Sequence, residues 1–377
     1  MRSRMTLVIA ATIGVVVSVR AGDLTPPSGA IEPTMKTLTE VEPRTAIRAA
    51  DMPKLISSPG SYYFVENIAT TGNGIAINSD DVTLDLMGFT LSGGTLSGIT
   101  VATTHKNITI KNGIVRGWAQ SGILAYNAVD SHFENLIIAN NGSVVNNDRG
   151  LGTGDGCVVS NCTSVENGSD GFWLGNANIV TNCVARGNGR FGINLSSGTV
   201  RNCTARNNVN SGIRSTQGAV IEGCTASGST TLHGIQAGNG TIVRNCITEN
   251  NAGSGILGPI GGEVRDCQSR NNGADGIQAS GNSTIIGNNC NDNAVGINVS
   301  GRRCRIESNN VEENGTGIGG AGTKNIIIKN TAARNAINYD IPADNAVGEI
   351  IDVSLSAGVP ITSGNPWANF IFEAAVP

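Results

Sequence analysis

A glycine followed by a large apolar residue returns every 20 to 22 residues between Gly150 and Gly317, at Gly150-Leu151, Gly171-Phe172, Gly192-Ile193, Gly212-Ile213, Gly234-Ile235, Gly255-Ile256, Gly276-Ile277, Gly296-Ile297 and Gly317-Ile318. Most of these phrases are followed, eleven or twelve residues on, by a cysteine: Cys162, Cys183, Cys203, Cys224, Cys246 and Cys267. An asparagine lies a few residues further, among them Asn167, Asn188, Asn207, Asn250, Asn271, Asn293 and Asn314. A fixed period in the twenties belongs to a solenoid, because one such unit has too little apolar surface to fold alone and must stack on its neighbours.

The segments between these marks decide the kind of solenoid. Gly192-Ile193-Asn194-Leu195 and Val200-Arg201-Asn202-Cys203-Thr204-Ala205 are too short and too rich in Gly and Asn for helices. Their small or apolar residues fall at about every second place, as half-buried strands require. Leucine-rich repeats share the period but need a leucine consensus that is missing here. Composition agrees: 51 glycines, 4% aromatic and 14% charged residues suit a coil of short strands and tight turns better than a globular α/β enzyme.

The Gly-Ile and Asn-Cys-x-x-x-x-Asn phrases resemble those of the right-handed parallel β-helix proteins of the pectate-lyase-like superfamily, from about Gly74 to Asn335. The resemblance implies an all-β, single-stranded right-handed parallel β-helix solenoid of about twelve rungs with N- and C-terminal caps. Gly74-Ile75, Gly98-Ile99 and Gly122-Ile123, spaced by 24 residues, read as the opening rungs. The expected organisation is a signal peptide over 1–21, an N-terminal arm and cap over 22–60, the β-helix over 61–335 and a C-terminal cap over 336–377.

Arg2 and Arg4 precede the apolar run Met5 to Val19, and Val19-Arg20-Ala21 offers small residues for cleavage. The run is short for a membrane span, so export to the periplasm, cell surface or medium is expected rather than stable insertion. Pro26, Pro27, Pro33 and Pro43 mark an arm around Met35-Lys36-Thr37-Leu38 that is expected to cover the open end of the coil. At the other end, the aromatic phrase Asn365-Pro366-Trp367-Ala368-Asn369-Phe370 is expected to plug the core. The net charge of -4 and pI near 5.5 argue against a general nucleic-acid binder, which would show a basic face.

In a stack, residues one repeat apart form ladders. The six regularly spaced cysteines are therefore expected as an inward column of small apolar thiols, neither disulfide-bonded nor a zinc set. The asparagine column is expected to hold left-handed turns, with amides bonded along the stack. The second residue after each glycine should face outward, giving Leu124, Gly152, Trp173, Asn194, Arg214, Gln236, Leu257, Gln278 and Asn298. Its middle is an aromatic ring followed by amides and a guanidinium, the groups that hold sugars by stacking and forked hydrogen bonds. Ser160, Thr181, Arg201, Glu222, Arg244 and Arg265 form another outward column, read as a charge ladder.

The residues just before the glycines place Arg149 beside Asp170, next to Trp173 and to a loop, 142–149, about five residues longer than its counterparts. Asp148, Arg149, Asp170, Trp173, Arg190, Asn194 and Arg214 are therefore the candidate substrate-binding residues. His233, Ser254 and Asp275 imitate a catalytic triad in composition, but Asp275 stands two rungs from His233, about 10 Å at the strand spacing.

Members of the resembled superfamily are often polysaccharide lyases, which hold Ca2+ against a uronate with clustered acids, or hydrolases using paired carboxylates. The polygalacturonase signature phrases are absent, no catalytic residue is assigned, and no cofactor is evident, although Ca2+ would fit a lyase. Two readings stand. One is an exported protein that binds, and as an enzyme would cleave, a polysaccharide along its outward face. The other is a non-catalytic adhesin-like scaffold. The sequence leaves the sugar and the oligomeric state open.

Overall fold

The computed structural model describes residues 42–143, 145–354 and 364–372. The leader and the Met35-Lys36-Thr37-Leu38 segment lie outside the described residues. From Arg44 onward the chain is one unit. Among the described residues its only helical turn is the single 3-10 turn Ala49–Asp51.

Fourteen short strands stack in parallel into one sheet, from Lys54–Ile56 to Ile337–Asp340. The remaining two faces of the coil merge into a sheet of twenty-eight strands. The rung count therefore exceeds the twelve expected. Twelve strands of the first sheet carry the Gly-apolar phrases, and Lys54–Ile56 and Ile337–Asp340 extend the stack at each end without that phrase. Hydrogen bonding needs only backbone in register, so the stack outruns its sequence signature.

One rung shows why these residues fold this way. Ile193–Leu195 places Ile193 and Leu195 inward, in register with Phe172 and Leu174 below and with Ile213 and Ser215 above. After Gly198–Arg201 the chain bends at Asn202, with φ 52°, and after Thr204–Arg206 it bends again at Asn207, with φ 54°. Both bends need the left-handed conformation, which asparagine tolerates better than other side-chain-bearing residues.

The asparagines do two jobs, a correction to the single column expected. Asn207, Asn250 and Asn271 have positive φ at the bend. Asn167, Asn188, Asn293 and Asn314 sit one position later in the rung, buried, beside Asn208, Asn251 and Asn272. There Asn167 Nδ2 donates to Asn188 Oδ1 and Asn188 Nδ2 to Asn208 Oδ1, each at 3.0 Å. Each Oδ1 also accepts the backbone N–H one rung below, as Asn188 Oδ1 does from Asn167 at 3.1 Å. The column satisfies turn amides that burial would otherwise strand. It also explains the repeat glycine: a Cβ on Gly192 would come within 2.6 Å of both the Asn208 amide and the Gly212 carbonyl.

The cysteine column is inward, as expected: all nine cysteines are free and buried. Several thiols donate to the carbonyl two residues back, such as Cys162 to Ser160 at 3.2 Å and Cys203 to Arg201 at 3.1 Å. After Cys267 the column passes to Asn288, Asn309 and Asn330 and ends on Asn369, whose Oδ1 accepts from Asn330 Nδ2 at 3.1 Å. Asn369 thus joins the core ladder, but Trp367 does not plug the core. It stays 49% exposed, with the Lys329 ammonium 4.8 Å from its ring centroid. The outward charge ladder forms, with Glu222 reaching Arg201 at 3.1 Å and Arg244 at 3.0 Å.

Candidate functional site

Register fixes the outward column of the fourteen-stranded sheet. Leu124 lies beside Gly152, then Trp173, Asn194, Arg214 and Gln236, each one strand further along. Gly152 leaves a gap in this column, and the Tyr126 ring fills it, lying where a Cβ on Gly152 would collide with it.

Arg149 packs against this ring and against Trp173. Its guanidinium carbon lies 5.0 Å from the Tyr126 ring centroid and 4.8 Å from that of Trp173, while the two rings meet edge to face at 4.9 Å and 71°. Each cation–π contact contributes about 0.5–2 kcal/mol, more where water is excluded. Asp170, 1% exposed, stands 4.0 Å from Arg149 Nε, an ion pair without a hydrogen bond. Arg149 Nε and the Tyr126 hydroxyl are both buried and make no hydrogen bond with the described residues. Burial pulls the Arg149 pKa below its ordinary value, and the Asp170 carboxylate opposes that shift.

Asp170 also organises the next rungs. Its Oδ2 accepts from Asn194 Nδ2 at 2.9 Å and its Oδ1 from the Phe191 backbone at 3.2 Å. Asn194 Oδ1 in turn accepts from Arg214 Nη1 at 3.3 Å. The Phe191 ring carries Arg214 at 5.1 Å and Arg190 at 5.5 Å, and Arg190 donates to Asn147 of the long loop at 2.6 Å. Past Arg214 the strip opens onto a shallow cavity of about 270 Å3 lined by Gln236, Asn239, Leu257 and Ser280.

Six of the seven candidate residues are thus linked through contacts: Arg149, Asp170, Trp173, Arg190, Asn194 and Arg214. Asp148 is apart. It is buried under its own loop, where its Oδ2 accepts from the Ser143 backbone at 3.3 Å and the Ser143 hydroxyl at 3.4 Å. Sequence reasoning missed Tyr126 and Phe191 as parts of the site. Tyr126 lies in a turn, outside any column, and the isolated Gly152 in an otherwise side-chain-bearing row was its only trace.

The His233, Ser254 and Asp275 column is not a proton relay. His233 Nδ1 accepts the Ser254 backbone N–H at 3.2 Å, whereas the Ser254 hydroxyl donates to Asp275 Oδ2 at 3.4 Å. Asn298 Nδ2 donates to the same Asp275 oxygen at 3.1 Å, repeating the Asn194–Asp170 arrangement. Burial pushes the Asp275 carboxyl up and the His233 imidazole down. Among the described residues no three His, Cys, Asp or Glu side chains gather as a metal set.

A parallel coil with one polar, aromatic-bearing face defines the class: a β-solenoid. Residues 73–219 match the family model described as the right handed beta helix region, and the chain folds as a right-handed parallel β-helix. Solved structures similar to it include the A-module of the mannuronan C-5 epimerase AlgE6 of Azotobacter vinelandii, at 14% identity and TM-score 0.43 over 85% of this chain and 92% of that one. The periplasmic alginate epimerase AlgG matches at 15% identity and TM-score 0.41, covering 84% of this chain and 76% of its own. The Dettilon tailspike protein matches at 12% identity and TM-score 0.43, covering 87% and 60%. No curated protein matches. At these identities and TM-scores nothing about this chain, neither reaction nor residue role, is carried over from them.

Proposed function

We propose that this protein is exported and binds an anionic polysaccharide along the strip from Tyr126 and Trp173 to Arg214 and Gln236. The observation that carries this reading is the Arg149 guanidinium, held against both the Tyr126 and Trp173 rings with no hydrogen bond from its Nε to the described residues. The Arg149 side chain keeps 18% of its surface exposed, and a carboxylate or sulfate on the ligand would pair with the guanidinium from that side. Trp173 supplies a ring for a sugar face. Arg214 and Gln236 stand on successive strands about 4.8 Å apart and would meet successive parts of an extended chain, while Asn194, buried between Asp170 and Arg214, holds Arg214 in place.

In this reading Asp170 is a positioning residue. It orients the Asn194 amide, balances Arg149 and is itself too enclosed to reach a substrate. The site therefore binds without a residue that we assign to catalysis. A scaffold with no ligand is the second reading, favoured by the charge pairing on the other outward faces, such as Arg201–Glu222–Arg244. A glycan array probed with the purified protein, with and without Ca2+, separates the two. Retention on acidic glycans that Trp173→Ala abolishes supports the strip, whereas no retention on any glycan leaves the scaffold. A rise in absorbance at roughly 235 nm on a bound polyuronate would add lyase activity to the binding, because elimination makes a conjugated carboxylate.

A further inference from the structure

The hollow of about 270 Å3 beyond Arg214 lies where the fourteen-stranded sheet narrows. The strands there, Ile235–Gln236 and Ile256–Leu257, have two residues each, between Ile213–Ser215 on one side and Asp275–Ala279 on the other. A Cβ on Gly238 would collide with the Thr216 backbone, so the space beyond Gln236 stays free of a side chain. One rung on, Pro259 and Gly261, the latter with φ 66°, turn the chain with Ile260 between them, and the Ile260 side chain stays 51% exposed.

Two kinds of surface meet in the hollow. The outward row runs Trp173, Asn194, Arg214, Gln236, Leu257, Gln278 and Asn298. Leu257 is the one aliphatic residue among these seven, and Ile260 adds a second from the turn beside it. The rim on the Arg214 side carries donors instead. Arg214 uses Nη1 on Asn194, and Gln236 Oε1 accepts from the Ser211 hydroxyl at 3.5 Å. The other guanidinium N–H groups and the Gln236 Nε2 hydrogens are left without a hydrogen-bond partner among the described residues. Past Leu257 the Gln278 amide is already engaged, donating to the Ser300 hydroxyl at 3.3 Å.

We propose that this hollow seats an O-acetyl ester on one sugar of the bound polysaccharide, so that the preferred ligand is an acetylated anionic glycan. The inference rests on the proposed strip and deepens it. An acetyl group has a carbonyl at one end and a methyl at the other, the same order as the donors and the aliphatic carbons here. A carboxylate in the hollow would set a charge against Leu257 and Ile260, and a bare hydroxyl would leave both side chains facing water. Size agrees with this choice. Sites for whole small molecules begin at about 300 Å3, so this hollow takes a substituent with part of its ring, not a longer piece of chain. Gln236 and Arg214 are then the donors to the acetyl carbonyl, and Leu257 with Ile260 covers the methyl.

The test is isothermal titration calorimetry of the purified full-length protein at low salt, with an O-acetylated polyuronate and with the same polymer after mild alkaline removal of its esters. The proposal requires the acetylated form to bind about three- to tenfold tighter, the size expected for covering one methyl and pairing one carbonyl. Leu257→Asn and Ile260→Ser should each bring that ratio close to one. Ile179→Asn, at an exposed aliphatic position in the twenty-eight-stranded sheet, should keep it. Circular dichroism melts confirm that each variant is folded. Equal affinity for the two forms, or tighter binding of the de-esterified one, overturns the proposal and leaves the strip as the site of an unsubstituted chain. A ratio that survives both Leu257→Asn and Ile260→Ser overturns it equally, because the preference then arises elsewhere. If neither form binds, the strip reading fails and the acetyl site fails with it.

Discussion

The Arg149 guanidinium is held by two rings and by a carboxylate 4.0 Å away, so its position is fixed before any ligand arrives. Arg149→Lys keeps the charge but loses the planar fork and the stacking. We expect it to weaken binding of an anionic glycan at least tenfold, about 1.4 kcal/mol, read by calorimetry, with circular dichroism confirming that the variant is folded. His233 makes a second residue-scale prediction. Burial lowers its pKa from 6.5, and its neutral Nδ1 accepts the Ser254 N–H. A depressed histidine contributes stability that is complete above about pH 6.5 and is lost as the pH falls through that value toward the folded pKa, because the unfolded chain then binds more protons. The melting-temperature advantage of wild type over His233→Gln should therefore be larger at pH 7.5 than at pH 5.5. The enclosed Asp275 works in the opposite sense, losing stability as the pH rises above its ordinary 3.8.

The ladders are the elements that carry the fold. Asn188→Ala removes the acceptor for the Asn167 amide and backbone N–H and the donor to Asn208, leaving buried groups unpaired. A loss of roughly 3 kcal/mol is expected, read by denaturant melts, with the rungs on either side affected most because each repeat contacts only its neighbours. The cysteine column predicts chemistry by its silence. All nine thiols are buried, and burial pushes Cys157 up to about 11. A thiol-specific reagent at pH 8 should label none of the nine in the native protein and all of them in denaturant. These columns were legible because period and register are the same information. One spacing of about 21 residues tells which residues stack. The split of the asparagines into bend and core positions was not legible, since a one-residue offset within a rung does not change the period. Tyr126 was hidden for a related reason: turns carry no register, so a ring that leans across from a turn leaves no mark in any column.

At the scale of the whole molecule, a coil of stacked rungs converts a repeating sequence into long parallel rows, and variation within one row becomes a surface. The row Trp173, Asn194, Arg214 and Gln236 departs from its neighbours in just this way, with Arg149 and Tyr126 brought to its edge by the missing side chain at Gly152. The outward direction of that row could be read from the alternation of strands. Its contact with Arg149 through Tyr126 could not, and neither could the turning-in of Asp148. The most direct measurement is the affinity of the purified protein and of Trp173→Ala for a soluble polyuronate, by isothermal titration calorimetry at low salt. The account predicts saturable binding by the wild-type protein that falls at least tenfold in the variant while the variant's circular dichroism spectrum is unchanged. Equal affinity in the two proteins, or no binding by either to any anionic glycan tried, would contradict it.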